Sequence, residues 1–343
     1  MILAAALVLG APRAHSQATP VTVTTSAVIS YLHPVAFAPA PTGSKMIVSM
    51  EDGSVRIMDG TTHQTVRNLA KHLQPAYGVA WSPDGLYAAT GDETARIFVE
   101  SAVSGASIRQ YRTHTKGIQK LSFNSTRQYL VSTGKDDQIN IYDLNIAAPK
   151  EVRKILGKGA NFYGASCSPT LPYTVATGIL GPGGRAYDLV TGKQTGFLVT
   201  NDDQGVFDVS YNPAGTRLVT AGKCGDAVVF DAKTLKKLAT LKGHKDFILY
   251  ATYSPNGALI ATASTDRTVK IWNANTFQKV AEIQDQNTVG SPLCFTADGK
   301  TLATVNDQGY LQFNTISPSQ AAKDKPAAKA TKKGRRGRRR RSG

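Results

Sequence analysis

A chain of 343 residues, 41% of them apolar, can bury a large core, which excludes a wholly disordered protein. The formal net charge of +16 is lopsided: Lys323–Arg341 holds eleven Lys or Arg against Asp324, a local net of +10 that leaves +6 for the remainder. Three scattered cysteines, Cys167, Cys224 and Cys294, and six histidines without ligand spacing argue against a disulfide framework and a structural metal site.

At the N-terminus, Ile2–Leu9 is an apolar run too short to span a bilayer, and Ser16-Gln17-Ala18 offers the small residues a signal peptidase reads. Residues 1–18 therefore read as an export signal, although no Lys or Arg precedes the apolar run; a leader with no export role is the alternative. Val21-Thr22-Val23-Thr24-Thr25 follows, β-branched and alternating, a strand with no partner nearby in the chain.

From there a single pattern recurs. An aromatic or small apolar residue just before a turn appears at Phe37, Trp81, Phe123, Cys167, Tyr211, Tyr253 and Phe295, with successive spacings of 44, 42, 44, 44, 42 and 42. Each period reads as strands. A short apolar run enters a turn such as Ser82-Pro83-Asp84-Gly85, where Pro presets φ and Gly tolerates a positive φ. A second run such as Leu259–Ala263 leads through Thr265-Asp266-Arg267 into the alternating Val269-Lys270-Ile271-Trp272, and a fourth run follows, as at Lys237–Leu241. Four antiparallel strands per period describe a propeller blade, and seven periods a closed ring. The seventh period runs out of strands at Ser317, so the unpaired Val21–Thr25 strand is expected to complete it and remove both open edges. The expected architecture is all-β: one seven-bladed β-propeller over residues 20–316, followed by a disordered basic tail over 317–343.

Several short stretches look chemical and read better as turns. Asp136-Asp137 and Asp202-Asp203 lack the spacing of a calcium loop, and Gly181-Pro182-Gly183-Gly184 has neither the helix nor the Lys-Ser/Thr of a phosphate loop. Gly243-His244, with Thr262, Asp266 and Trp272 downstream, has the residue types of a hydrolase site. Yet a similar set, His114, Ser132, Asp136 and Tyr142, stands three periods earlier, in the third. A catalytic set is expected once, in a cleft; a repeated one at a fixed blade position suits a fastener.

These features resemble the WD-repeat β-propeller family, on the evidence of Gly243-His244, the Ser-Pro-Asp/Asn-Gly turns and the pairs that close strand three. Those pairs are Met58-Asp59, Phe98-Val99, Tyr142-Asp143, Tyr187-Asp188, Phe230-Asp231, Trp272-Asn273 and Phe313-Asn314, none of them a literal Trp-Asp. The resemblance implies a structural His–Ser/Thr–Asp–Trp tetrad, matched in full at His244, Thr262, Asp266 and Trp272 and with Tyr in the Trp place at His114, Ser132, Asp136 and Tyr142. The second period keeps His72 and Asp92 with Ala88 and Phe98; the first and seventh keep only Asp52 and Asp307; Gly181 and Cys224 stand at the place in the fourth and fifth.

The resemblance also implies a non-enzymatic scaffold without a cofactor, a monomer on its own, binding other proteins on its faces. Four residues before each anchor, near the channel mouth, stand His33, Tyr77, Gln119, Tyr163, Phe207, Leu249 and Ser291. The aromatics among them either bind a partner or pack against neighbouring blades, with Lys135, Asp136, Lys223 and Asp203 as a polar rim. In the tail, Lys332, Lys333, Arg335, Arg336, Arg338, Arg339, Arg340 and Arg341 are suited to a polyanion, held with strong salt dependence and little sequence preference. The polyanion is nucleic acid or, if the leader directs export to a periplasm or the exterior, an anionic lipid or envelope polymer; a cytoplasmic or nuclear location is the alternative. Other readings are an RNA- or DNA-associated propeller and, further off, a propeller enzyme such as a lactonase.

Overall fold

The computed structural model describes residues 21–318 apart from 146–150, 158, 160, 172, 173, 180, 182, 201–204 and 288–291. The leader, the tail cations from Lys332 to Arg341, the acid pair Asp202-Asp203 and Ser291 lie outside the described residues.

Twenty-eight strands form seven four-stranded antiparallel sheets, with no helix among the described residues. The first strand of each blade lies innermost: β2 (Pro34–Pro39), β6 (Gly78–Trp81), β10 (Ile118–Phe123), β14 (Phe162–Cys167), β18 (Val206–Tyr211), β22 (Ile248–Tyr253) and β26 (Cys294–Phe295). The last blade has a different origin. Its outer strand is β1 (Val21–Ile29), paired antiparallel with β28 (Leu311–Pro318) from Val21↔Pro318 to Ile29↔Leu311. The two chain ends thus close the ring.

The turns form for local reasons. At Ser82–Gly85 the Ser82 hydroxyl donates to Asp84 Oδ1 (2.6 Å), which also accepts the Leu86 amide (3.0 Å). Gly85 takes φ +74°, the left-handed region that closes the turn without a Cβ penalty. The blades cohere by burying each sheet's apolar face against the next. Ile97, Val99 and Tyr111 of the second blade share a cluster with Ile118, Leu121 and Phe123 of the third. At the closure, Met46 and Met58 of the first blade meet Cys294, Leu311 and Phe313 of the last. Burying side chains of this size stabilises by about 1.5–3 kcal/mol each.

Strand register corrects three positions taken from the spacing. In the first blade Pro39 pairs with Met46 as Tyr253 pairs with Ile260, so Pro39 and not Phe37 holds the anchor place. Counted from Pro39, the first two spacings are both 42. In the second blade Ser101 N–H donates to Ala106 O (2.8 Å) as Asn273 N–H donates to Gln278 O (2.9 Å). The pair closing strand three there is accordingly Glu100-Ser101 and not Phe98-Val99. In the seventh, Leu302 faces Asn314 as Ile260 faces Trp272, so that pair is Asn314-Thr315.

Candidate functional site

The hydroxyl of strand two and the histidine preceding each blade meet wherever both are present. In the sixth blade His244 Nδ1 lies 2.9 Å from Asp266 Oδ2 and Nε2 lies 2.8 Å from Thr262 Oγ1, which accepts the Trp272 indole N–H at 2.9 Å. In the third, His114 Nδ1 lies 2.8 Å from Asp136 Oδ1 and Nε2 2.6 Å from Ser132 Oγ, itself 3.2 Å from the Tyr142 hydroxyl. The second blade has the same arrangement with different members: His72 meets Asp92 (2.9 Å) and Thr90 (2.8 Å), not Ala88. Phe98 only packs on the His72 ring, at 4.7 Å, and Glu100 holds the place of the indole. In the seventh, the Asn314 amide donates to Thr304 Oγ1 (3.0 Å), standing in for the indole, while Gln286 occupies the histidine's place.

The electrostatics fit internal fasteners. Burial opposes ionisation of Asp266, but the Thr268 hydroxyl, the Lys245 amide and His244 hold its carboxyl down at about 2. Burial lowers His244 and His72 below the usual imidazole range, against the pull of their aspartates. A buried neutral imidazole between a fixed carboxylate and a hydroxyl has no open side for a substrate. Among the described residues no group of His, Cys, Asp and Glu could hold a metal ion.

The expected channel-mouth residues fall on irregular points of the inner strands. Gln119, Phe207 and Leu249 each sit where the ladder skips a residue, between Ile118 and Lys120, Val206 and Asp208, and Ile248 and Tyr250. Tyr163 lies within the corresponding break in the fourth blade, and Tyr77 immediately precedes β6. Such bulges bend the strand and re-aim its side chains. In the first blade this place belongs to Val35; His33 lies two residues further out, exposed, with its ring 5.3 Å from Tyr310. The aromatics converge on one arc. Tyr163 and Phe207 meet edge to face at 5.5 Å, and Phe207 lies 6.1 Å from Phe247, which is 36% exposed. Lys223 Nζ stands 5.4 Å from the Phe247 ring, and Lys135 bridges the Tyr77 ring (5.9 Å) and Glu93 (2.6 Å). Gln119 and Leu249 are half-buried beside this arc. Phe247 carries no repeat-offset signal that would separate it from an ordinary turn residue.

Below the mouth, the inner strands enclose a channel of about 280 Å³. Its polar residues are unevenly distributed. Lys120, Asp208 and Tyr250, each three residues before an anchor, come together: Lys120 Nζ lies 3.2 Å from Asp208 Oδ1 and 5.3 Å from the centre of the Tyr250 ring. Ser122, Ser166, Ser210 and Thr252 line the same side, while Ala36, Ala38, Ala80 and Cys294 line the other. The signal for this group was a charge inside an otherwise apolar inner strand, at the same offset in two repeats.

Comparison with known proteins places these features. The family described as WD domain, G-beta repeat matches at residues 63–98, 105–143 and 235–273, the last two enclosing His114–Asp143 and His244–Asn273. The chain is a WD-repeat propeller. Among curated relatives, it is 28% identical over 199 residues to Cleavage stimulation factor subunit 50 of Arabidopsis thaliana, covering 52% of this chain and 46% of that protein. It is 25% identical over 204 residues to Intraflagellar transport protein 80 homolog of Mus musculus, covering 57% and 24%. Over 116 residues it is 30% identical to Serine-threonine kinase receptor-associated protein of Bos taurus, covering 33% and 32%. The match spans less than half the length of each of these relatives. Among the described residues of this WD-repeat propeller, no helix is long and apolar enough to cross a membrane.

Proposed function

We propose that the protein is a non-enzymatic scaffold that docks another protein on its channel-mouth face, over the fourth to sixth blades. The observation that carries this reading is the aromatic arc Tyr163–Phe207–Phe247, continuous at 5.5 and 6.1 Å, exposed at Phe247 and edged by Lys223. Rings in contact on a rigid rim supply apolar area at little entropic cost and form anchor clusters in interfaces. That two relatives carry the names of a factor subunit and a receptor-associated protein supports an assembly role. The test is quantitative capture of bound proteins by the full chain and by Phe207→Ala and Phe247→Ala. Loss of at least tenfold of a partner in both variants supports the reading, and an unchanged partner set in both rejects it.

The basic tail acts, in this proposal, as a separate tether for a polyanion. With eleven cations between Lys323 and Arg341, binding to heparin is expected to weaken steeply as salt rises and to vanish on deletion of 323–343. Heparin affinity that survives the deletion and stays flat with salt rejects the tether. Sequencing the mature N-terminus decides between an envelope polymer and nucleic acid as the natural target: a start near Val21 selects the former.

A further inference from the structure

The Lys120–Asp208 pair sits in the channel wall with a feature that the fold alone does not require. Asp208 is 6% exposed and its Oδ1 accepts no well-directed hydrogen bond, although Lys120 Nζ lies at ion-pair distance, 3.2 Å. Burial raises the Asp208 carboxyl above the usual range, with Lys120 and the Val209 and Ala251 amides opposing. A buried carboxylate oxygen lacking a well-directed donor can accept one more from a ligand.

The surroundings are opened for an occupant. Lys120 belongs to the third blade and Asp208 to the fifth; Gly164, at the same offset in the fourth, lies between them. A Cβ at Gly164 would stand 2.8 Å from Asp208 Cα and 2.9 Å from its Oδ1. Glycine there lets the two charges meet beside a channel of about 280 Å³, with the Ser122, Ser166 and Ser210 hydroxyls and the Tyr250 ring around it. Because cation and anion lie side by side and compensate each other, a ligand with one net charge would bring an uncompensated charge into the channel. A ligand carrying both charges does not.

We infer that the polar half of the channel binds a small zwitterion of the free amino-acid class, its ammonium on Asp208 and its carboxylate on Lys120. The site stands apart from the docking face, and it makes no use of the tail. The experiment is calorimetric titration of the full chain with glycine, L-serine and L-leucine, and with ethylamine and propionate as single-charge halves. At least one zwitterion is expected to bind saturably, at least tenfold more tightly than either half. Asp208→Asn and Lys120→Met are each expected to weaken it at least tenfold. Lys120→Met/Asp208→Leu leaves no unpaired charge behind, so this double variant is expected to remain folded by circular dichroism and to lose binding altogether. Phe247→Ala is expected to leave zwitterion binding within about twofold, which separates this inference from the docking reading. No saturable binding up to about 10 mM, equal binding of ethylamine or propionate, or full binding by the folded double variant overturns it.

Discussion

In the sixth blade Asp266 reaches His244 from the tip of a turn, and an indole N–H completes the chain on Thr262. In the second, Asp92 reaches His72 from two residues earlier in the repeat, just past the strand Tyr87–Gly91, and Glu100 stands where the indole would be. The two blades hold histidine and hydroxyl in the same relation, at 2.8 Å in both. What differs is how many partners secure the carboxylate. Asp266 Oδ2 accepts the Lys245 amide (2.9 Å) besides His244 and lies 3.9 Å from Lys270 Nζ. Asp92 Oδ1 accepts the amides of Thr94 and Arg96, whereas its Oδ2 has His72 as its hydrogen-bond partner among the described residues. The histidine–carboxylate contact is thus the fixed element, while the source of the carboxylate and the fourth member can vary.

Substitutions can break this comparison at graded cost. Trp272→Ala removes a 3% exposed indole from the cluster between the fifth and sixth blades, and is expected to cost about 3–5 kcal/mol in urea unfolding. His72→Ala strands a fully buried carboxylate oxygen and is expected to cost about 3 kcal/mol. His244→Ala leaves Asp266 its other donors and is expected to cost about 2 kcal/mol. Equal losses for the two histidines would show that the extra donors at Asp266 contribute nothing.

Glu100 sharpens the contrast in the opposite direction. Its Oε1 accepts the Ala70 amide (2.9 Å), Oε2 has no hydrogen-bond partner, and burial raises its pKa above 4.5. Glu100→Gln keeps the acceptor and removes the charge, so a gain of about 1 kcal/mol at pH 7.5 is expected from thermal or urea unfolding. A raised carboxyl pKa destabilises the fold only while the group is ionised, so the gain should shrink as pH falls toward 4.5. An effect of similar size concerns the histidines. Both are held below 6.5 in the folded state, so the unfolded chain takes up protons first. Wild-type stability should fall by on the order of 1 kcal/mol as pH drops from about 7 through 6, measured against His72→Ala and His244→Ala, in which the slope should flatten.

The repeat period made the ring, its seven blades and the closing strand legible, because a buried alternating strand pattern leaves little choice of architecture. Local register was harder. Asp92 resembled the turn acid Asp266, and aligning on it displaced Thr90 to Ala88 and Glu100 to Phe98, a slip of two that preserves which face each residue takes. Phe37 displaced Pro39 for a related reason, since an aromatic made the more plausible anchor. The channel pair Lys120–Asp208 went unread because the strands skip a residue just before it, so attention to the fourth position before the anchor missed the third. Phe247 lies outside either series, and only the fold brings it against Phe207.

The docking claim is tested most directly by site-specific photocrosslinking in native cells. A benzophenone amino acid replaces Phe247 at the channel-mouth face or, as the control, Leu86, 46% exposed at a turn on the opposite face. A discrete protein adduct at position 247, absent at 86, is the predicted result. Adducts at 86 alone, or at neither position, would contradict it.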